Sequence, residues 1–274
     1  MKVEVLVAAL EQNPYELIEK MNIDTDMVIA NQGNEDSIVN LTRNERNITI
    51  INTTTRGVGL NRNLAISFSS ADADILLMAD CDTVYYDKLK HNVQQAFKRE
   101  PDADMIIFDL DFVKSGVYYG NCKNRDRKLP FYQALRYGTA FVAIKRNSLL
   151  RANIKFSELF GGGAMFCSGE DSLFIIACYR AGLKIYTSSC VIGINDTSSS
   201  TWFTGYDERH FYDKGAFSRQ AFGKLGALFN LYYALRTEEL SALSFRIKMQ
   251  LMRSGSKNYR NLVSYKEFAR NLSN

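Results

Sequence analysis

The chain has 274 residues, 46% of them hydrophobic and 23% charged, with a formal net charge of +4. This fits one large domain or a domain with an appendage, and it excludes a disordered or fibrous chain. No apolar run approaches the roughly 20 residues needed to cross a bilayer, and Met1-Lys2-Val3-Glu4-Val5 starts as a strand rather than as a secretory signal.

The five cysteines (81, 122, 167, 178 and 190) are odd in number and show no close pairing. Reduced structural thiols are therefore expected, with Cys178 and Cys190 as small core residues, and so is a cytoplasmic protein. The charge is uneven. From Lys214 to the end there are 11 basic and 3 acidic residues, whereas the first 213 carry 23 basic and 27 acidic. An acidic body with a basic tail suggests contact with an anionic surface. No nucleic-acid-binding motif accompanies the basic tail, so membrane headgroups are the expected partner and nucleic acid is not.

In chain order, the pattern predicts strands at Val3 to Ala9, Met27 to Ala30, Ile48 to Asn52, Ile75 to Ala79, Met105 to Phe108 and Phe141 to Ile144, with a last strand at Lys184 to Thr187. Helices are predicted at Tyr15 to Met21, Leu60 to Ser69, Lys88 to Arg99 and Asp171 to Ala181, the last closed by Gly182. Alternating strands and helices are the mark of an α/β fold with a mainly parallel sheet. Asn121 to Lys128 is polar and charged and is expected to form an exposed loop. Residues from about 207 onward turn helical, aromatic and basic, so a catalytic domain over 1–206 and a basic helical extension over 207–274 are expected. Within the extension Leu240, Leu243, Ile247 and Leu251 form a helical stripe beside Arg246, Lys248 and Arg253. Such a stripe either packs on the domain or lies in a membrane interface.

Four stretches can carry chemistry. Asp80-Cys81-Asp82 follows an apolar strand. If the chain stays extended, both carboxylates point one way and suit a hard cation such as Mg²⁺ or Mn²⁺; the plainer alternative is a strand-end turn with solvated acids. Arg56-Gly57-Val58-Gly59-Leu60-Asn61-Arg62-Asn63 lacks the third glycine of a dinucleotide fingerprint. It either lets the backbone pass close to a ligand, with Arg62 reaching a diphosphate or base, or caps a helix. Gly161-Gly162-Gly163 precedes Gly169-Glu170-Asp171, a glycine-rich loop suited to closing over substrate. Acids in a first helical turn are also favoured by the macrodipole alone. Trp202, the only tryptophan, is a sugar-stacking platform or a core residue. His91 and His210 are isolated, with no zinc-ligand spacing.

Taken in order, these stretches resemble bacterial glycosyltransferase family 2 proteins of the GT-A fold, particularly those of capsule, exopolysaccharide and O-antigen synthesis. The resemblance rests on Ile29-Ala30-Asn31-Gln32, Arg56-Gly57 through Arg62-Asn63, Leu76 through Asp82, and Ala134-Leu135-Arg136-Tyr137-Gly138. It continues through Phe156 to Gly161, Gly169 to Phe174, Gly182 to Tyr186, and Ser200-Thr201-Trp202-Phe203, covering about residues 3 to 220.

The resemblance implies an inverting, metal-dependent transferase. It would move a sugar from a nucleotide-sugar, UDP-linked, to a glycan or lipid-linked acceptor at the inner membrane face. It implies Asp171 as base with Glu170 beside it, Asp80 and Asp82 as the metal and diphosphate motif, and Arg62, with Asn31 and Gln32, toward the nucleotide; Gly162, Gly163 and Trp202 are expected to face substrate from the loop glycines and the stacking ring read above. Two departures stand out. Asn31-Gln32-Gly33 replaces an acidic uracil reader, although an amide can still pair with a base edge. Asn195-Asp196-Thr197 lacks the family's histidine, so Asp196 or water completes the metal shell, or the metal is held more weakly. A nucleotidyltransferase needs a glycine-rich basic loop after the first strand, where this chain has Ala8-Ala9-Leu10-Glu11-Gln12. A non-catalytic carbohydrate- or partner-binding domain is the remaining alternative.

Overall fold

The structure, a computed structural model, describes residues 1–121, 123–199 and 205–273. Along the chain the elements are β1 (Val3–Leu10), α1 (Pro14–Lys20), β2 (Asp26–Gln32), β3 (Ser37–Arg43), β4 (Arg46–Thr53), α2 (Val58–Ser67), β5 (Ile75–Asp80), β6 (Thr83–Tyr85) and α3 (Leu89–Arg99). There follow β7 (Met105–Lys114), β8 (Val117–Asn121), β9 (Arg127–Lys128), β10 (Val142–Lys145), α4 (Arg146–Arg151), α5 (Glu170–Arg180) and β11 (Ile185–Asp196). The chain ends in α6 (Glu208–Phe222), α7 (Gly226–Arg236), α8 (Phe245–Asn258) and α9 (Tyr265–Ser273).

One mixed sheet runs β3-β4-β2-β1-β5-β10-β7-β11-β6, with β8 on β7 and β9 on β11. Its centre is parallel: β4, β2, β1 and β5 are aligned, as are β7 and β11. β10 enters antiparallel between β5 and β7. Covered by helices, β1, β2 and β5 are buried almost throughout, which is why they read as unbroken apolar runs instead of alternating ones. The α1 start is written locally. Asn13 accepts from the Tyr15 N–H at 3.1 Å, Pro14 opens the helix, and Glu16 and Lys20 complement its dipole.

All seven predicted strands and all four predicted helices have counterparts within two residues at their starts. The last strand is longer than expected, running on to Asp196. The stretch from Asn121 to Lys128 is not wholly an exposed loop. β8 ends at Asn121, β9 pairs antiparallel with β11, and Asn124 is buried, its side chain donating to the Phe108 carbonyl at 2.8 Å. Polar composition misleads there because Asn124 serves as an internal bridge to β7. β3 went unpredicted because most of its residues are exposed, as on an edge strand. It is turned back onto β4 through Asn44 and Glu45, both at positive φ, where a glycine signal would be looked for.

A second core joins Phe160, Phe166, Leu173 and Ile176 of the first part to Tyr212, Ala216, Phe217 and Ala221 of α6. The tail is thus packed into the body. On α8, Leu251 is buried and Lys248 is fully buried, donating to the Thr237 carbonyl at 2.8 Å, while Leu243, just before α8, is partly buried against a small core of Phe211, Ala234, Leu251 and Met252. The predicted stripe therefore does not form one outward face; its Leu243 and Leu251 pack inward. α6 and α8 touch backbone to backbone. A Cβ on Gly215 would collide with the Met252 carbonyl, and one on Gly255 with that of Tyr212. Overpacking such a crossing forces the helices apart. Gly255→Val should lower unfolding stability by about 3 kcal/mol, measured by urea denaturation; an unchanged midpoint would remove the crossing as a stability element.

Candidate active site

The site forms where the carboxyl end of β5, the start of α2 and the start of α5 converge. Its centre is Arg62 on α2. The guanidinium, only 6% exposed, donates to Asp80 Oδ1 at 2.9 Å and to Asp171 Oδ1 at 2.7 Å, and lies 3.7 Å from Glu170 Oε1. Its face lies 5.3 Å from the centre of the Phe156 ring. Burial works against its charge, and the charges of Asp171, Asp80 and Glu170 outweigh that cost, so it stays protonated. Asp80 and Asp171, 91 positions apart, thus meet across one guanidinium.

α2 is placed by its own sequence. Asn61 is buried and its amide donates to the carbonyls of Ala9 and Ala30, tying α2 to β1 and β2. Asn63 and the Phe156 backbone exchange two hydrogen bonds of 2.9 and 2.8 Å. A side chain on Gly59 would run into the Ser157 carbonyl. Gly59 therefore serves the approach of another chain segment rather than that of a ligand, and the capping alternative fits Gly57, whose φ is +121° at the start of α2. The Val58 N–H donates to the Gly162 carbonyl at 2.9 Å, and Gly163 faces the Gly57 backbone, so the glycine loop rests on the start of α2.

At α5, Gly169 has φ +123°, and a Cβ there would strike the Phe217 ring. Gly161 has φ +110°, and a Cβ there would meet Glu170 and Val58. Glu170 is pressed between these walls; burial first, and then the charge of Asp171, push its carboxyl up despite Arg62. Asp171 Oδ1 also accepts from Thr139 Oγ1 at 2.5 Å, and Thr139 is itself fully buried. Nothing in the sequence pattern flagged Thr139, because a lone threonine after a glycine carries no spacing signal. Behind Glu170, Lys214 of α6 donates to Ser168 Oγ at 3.3 Å and lies over the Phe217 and Tyr233 rings, and burial pulls its pKa down.

Asp82 has a separate partner. β5 ends at Asp80 and the chain turns at Cys81-Asp82, so the extended alternation expected through Asp82 does not hold. Asn195 Nδ2 of β11 donates to Asp82 Oδ1 at 2.6 Å, while Asp196 only supplies a backbone N–H to the Asp82 carbonyl. The Asp196 carboxylate is exposed and accepts from the Ser198 N–H and hydroxyl. Burial, then the charge of Asp80, push Asp82 up to about 6. The Cys81 thiol is pushed to about 11 by burial, and the Cys178 thiol to about 12. Trp202 and Cys122 lie outside the described residues. His91 is exposed on α3, away from any acidic cluster in the network above.

Asn31 and Gln32 sit at the carboxyl end of β2. The Asn31 amide donates to the Gln12 carbonyl and to Asn52 Oδ1 and accepts from the Gln12 N–H, while Gln32 Nε2 donates to the Gly57 carbonyl. An open cleft of about 460 Å³ lies beside them, lined by Gln12, Asn31, Gly33, Val39, Ile50 and Asn52 among others. Clefts outside the carboxyl ends of parallel strands are where open α/β sheets bind ligands.

Among the described residues, no group of three or more His, Cys, Asp or Glu side chains is disposed to hold a metal ion. Two carboxylates are nonetheless suited to one. They offer oxygen donors, the charge of Asp80 raises Asp82 even though Asp80 is paired with Arg62, and a divalent cation would offset that repulsion.

A sheet with this order and an acidic cleft at its carboxyl edge define a GT-A-type transferase fold. The family model described as "Glycosyl transferase family 2" matches residues 3–155. The chain belongs to that family and is a glycosyltransferase. Its fold is that of S. aureus TarS residues 1–349, solved with UDP-GlcNAc (TM-score 0.64, 14% identity, covering 100% of this chain and 92% of that one). The same fragment with UDP gives a TM-score of 0.63 at 14% identity with the same coverage. The longer TarS chain gives 0.58 at 16% identity, covering 97% of this chain and 44% of that one. No curated protein matches the sequence.

The Asp82 environment has a pH signature. Its pKa is raised on folding, so its stabilising share is full below about pH 4 and is lost as pH rises through about 6. Asp82→Asn keeps the acceptor for Asn195 and removes the charge. In chelator at pH 8 the variant should exceed the parent by about 1–2 kcal/mol. The gap should close toward pH 4, as read by thermal unfolding across pH; a gap that widens in acid would contradict the assignment.

Proposed function

We propose that the chain transfers a sugar, with inversion, from a UDP-linked nucleotide-sugar to a hydroxyl of a glycan or lipid-linked oligosaccharide in surface polysaccharide synthesis, assisted by Mn²⁺ or Mg²⁺. The observation that carries this reading is that Arg62 holds Asp171 of α5 and Asp80 of β5 together on one guanidinium. TarS, whose fold this chain shares, has been solved with UDP and with UDP-GlcNAc, which supports UDP as the nucleotide.

Asp171 is the base. Arg62 and Thr139 fix its Oδ1, which leaves Oδ2 on the side of Gly138, where a Cβ would come to 3.4 Å. The acceptor hydroxyl oxygen attacks the anomeric carbon from the face opposite the leaving group. Its proton passes to Asp171, the bond from the anomeric carbon to the diphosphate oxygen breaks, and the nucleoside diphosphate departs with that electron pair. One base suffices because the leaving group is already a stable anion. Asp80 and Asp82 would hold the divalent cation, whose charge favours the departing diphosphate. Glu170 shapes the acceptor side, with its charge suppressed by burial. Gly162 and Gly163 form the loop lip. The cleft beside Asn31 takes the nucleoside, and because the Asn31 amide is committed to Gln12 and Asn52 its part is to shape that wall. Trp202 is assigned to acceptor stacking, and Asp196 to the outer edge of the cation site.

Asp171→Asn should lower kcat by at least about 10³-fold while donor affinity by calorimetry stays within about threefold; retained turnover would remove Asp171 as the base. Asp82→Ala should reduce Mn²⁺-dependent UDP binding by about tenfold or more. The same UDP affinity with and without metal in the parent protein would reject a cation at this site.

A further inference from the structure

Helix α7 turns Phe229 and Tyr233 toward the core but carries its leucines on the outside. Gly226, Asn230 and Ala234 are its buried positions, whereas Leu225 just before it and Leu228, Leu231, Tyr232 and Leu235 on it are exposed, Leu225 and Leu228 by about two thirds (67% and 66%). At helical spacing these residues share one face. Across a groove of about 660 Å³ lie Phe245 and Met249 of α8, with Arg246 and Arg253 on its rim. Lys224 and Arg236 bracket the two ends of α7, and both are exposed. Glu238 and Glu239, just beyond α7, are the only acids between Asp213 and Glu267. Apolar patches of this extent are uncommon on free monomers.

We propose that this α7–α8 face seats the protein on a bilayer of anionic phospholipid, leucines at the acyl boundary and arginines on headgroup phosphates. Charge decides for that occupant. The stretch from Lys214 carries 11 basic and 3 acidic residues, which complements an anionic surface. A two-fold contact between copies would set the same basic rim against itself. The leucine stripe supplies the apolar half of an interfacial helix, and the arginines supply the half that discriminates lipid charge. The surface is separate from the catalytic cleft residues, so its test does not depend on the proposed transfer reaction.

The full chain is sedimented with vesicles of phosphatidylcholine alone and of phosphatidylcholine with phosphatidylglycerol. It should pellet with the second and not the first, and salt should weaken the binding. Arg246→Ala with Arg253→Ala should weaken binding about 25-fold, at about fivefold for each basic group removed. Leu228→Glu with Leu231→Glu should abolish it while the melting curve and circular dichroism stay native, as expected for exposed positions. Three results would each overturn the proposal: equal binding to neutral vesicles, no binding to either, or unaltered pelleting of the leucine variant. So would light scattering that shows a dimer dispersed by the leucine substitutions, because the face would then belong to a second copy.

Discussion

A single buried guanidinium sets the geometry of the site. Arg62 touches Asp80 at the end of β5 and Asp171 at the start of α5, with Glu170 close behind. Asp80 and Asp171 both claim this one cation, and burial suppresses the charge of Glu170 beside them. Arg62 is deeply buried, the Asp80 carboxylate is 37% exposed, and the cluster ties α2, β5 and α5 to one another. It also links the two ends chemically. Any positive charge brought to Asp80 weakens the claim of Asp80 on Arg62 and alters the pull of Arg62 on Asp171.

Glycines make this crowding sterically feasible. At Gly59 the Ser157 carbonyl occupies the space of a Cβ; at Gly161 Glu170 and Val58 do so, and at Gly169 the Phe217 ring does. The last two also hold φ near +110° and +123°, where side chains are disfavoured. The glycines seen in sequence as a substrate-closing device therefore act first as contacts between chain segments. They place the Gly162–Gly163 turn and the first turn of α5 against the start of α2.

Much of the fold was legible because the central strands are buried on both faces and write their apolar runs directly into the sequence. The parts that escaped were those set by pairing rather than composition: the exposed edge strand β3, the short β9, and the internal bridge at Asn124. In the site, the acids and Arg62 were legible from residue type and order. Their partners were not. Thr139 and Asn195 act through single hydrogen bonds of 2.5 and 2.6 Å to Asp171 and Asp82, and a single hydroxyl or amide leaves no periodic trace. Alternation through Asp82 failed because the chain turns after Asp80, a local event that an apolar run cannot announce.

The C-terminal helices are bound to the site by the same packing that stabilises them. Phe217 of α6 lies against Gly169, Lys214 reaches Ser168, and the Asp213 carboxylate accepts from the Cys167 N–H at 2.8 Å. α8 locks onto α6 where Gly215 and Gly255 let backbones meet, and α7 packs its small buried face, Gly226, Asn230 and Ala234, inward. A helix that turns glycine, asparagine and alanine fully inward, with Phe229 and Tyr233 half-buried beside them, while exposing three leucines and a tyrosine departs from the usual division between core and solvent. The tightest inner contact needs closeness rather than bulk, with Gly226 against the Ser218 carbonyl, and Phe229 packs on Phe217 and Phe222 beside it. The orientation of that face relative to Asp171 is therefore set by the α6–α5 contacts and not by a flexible linker.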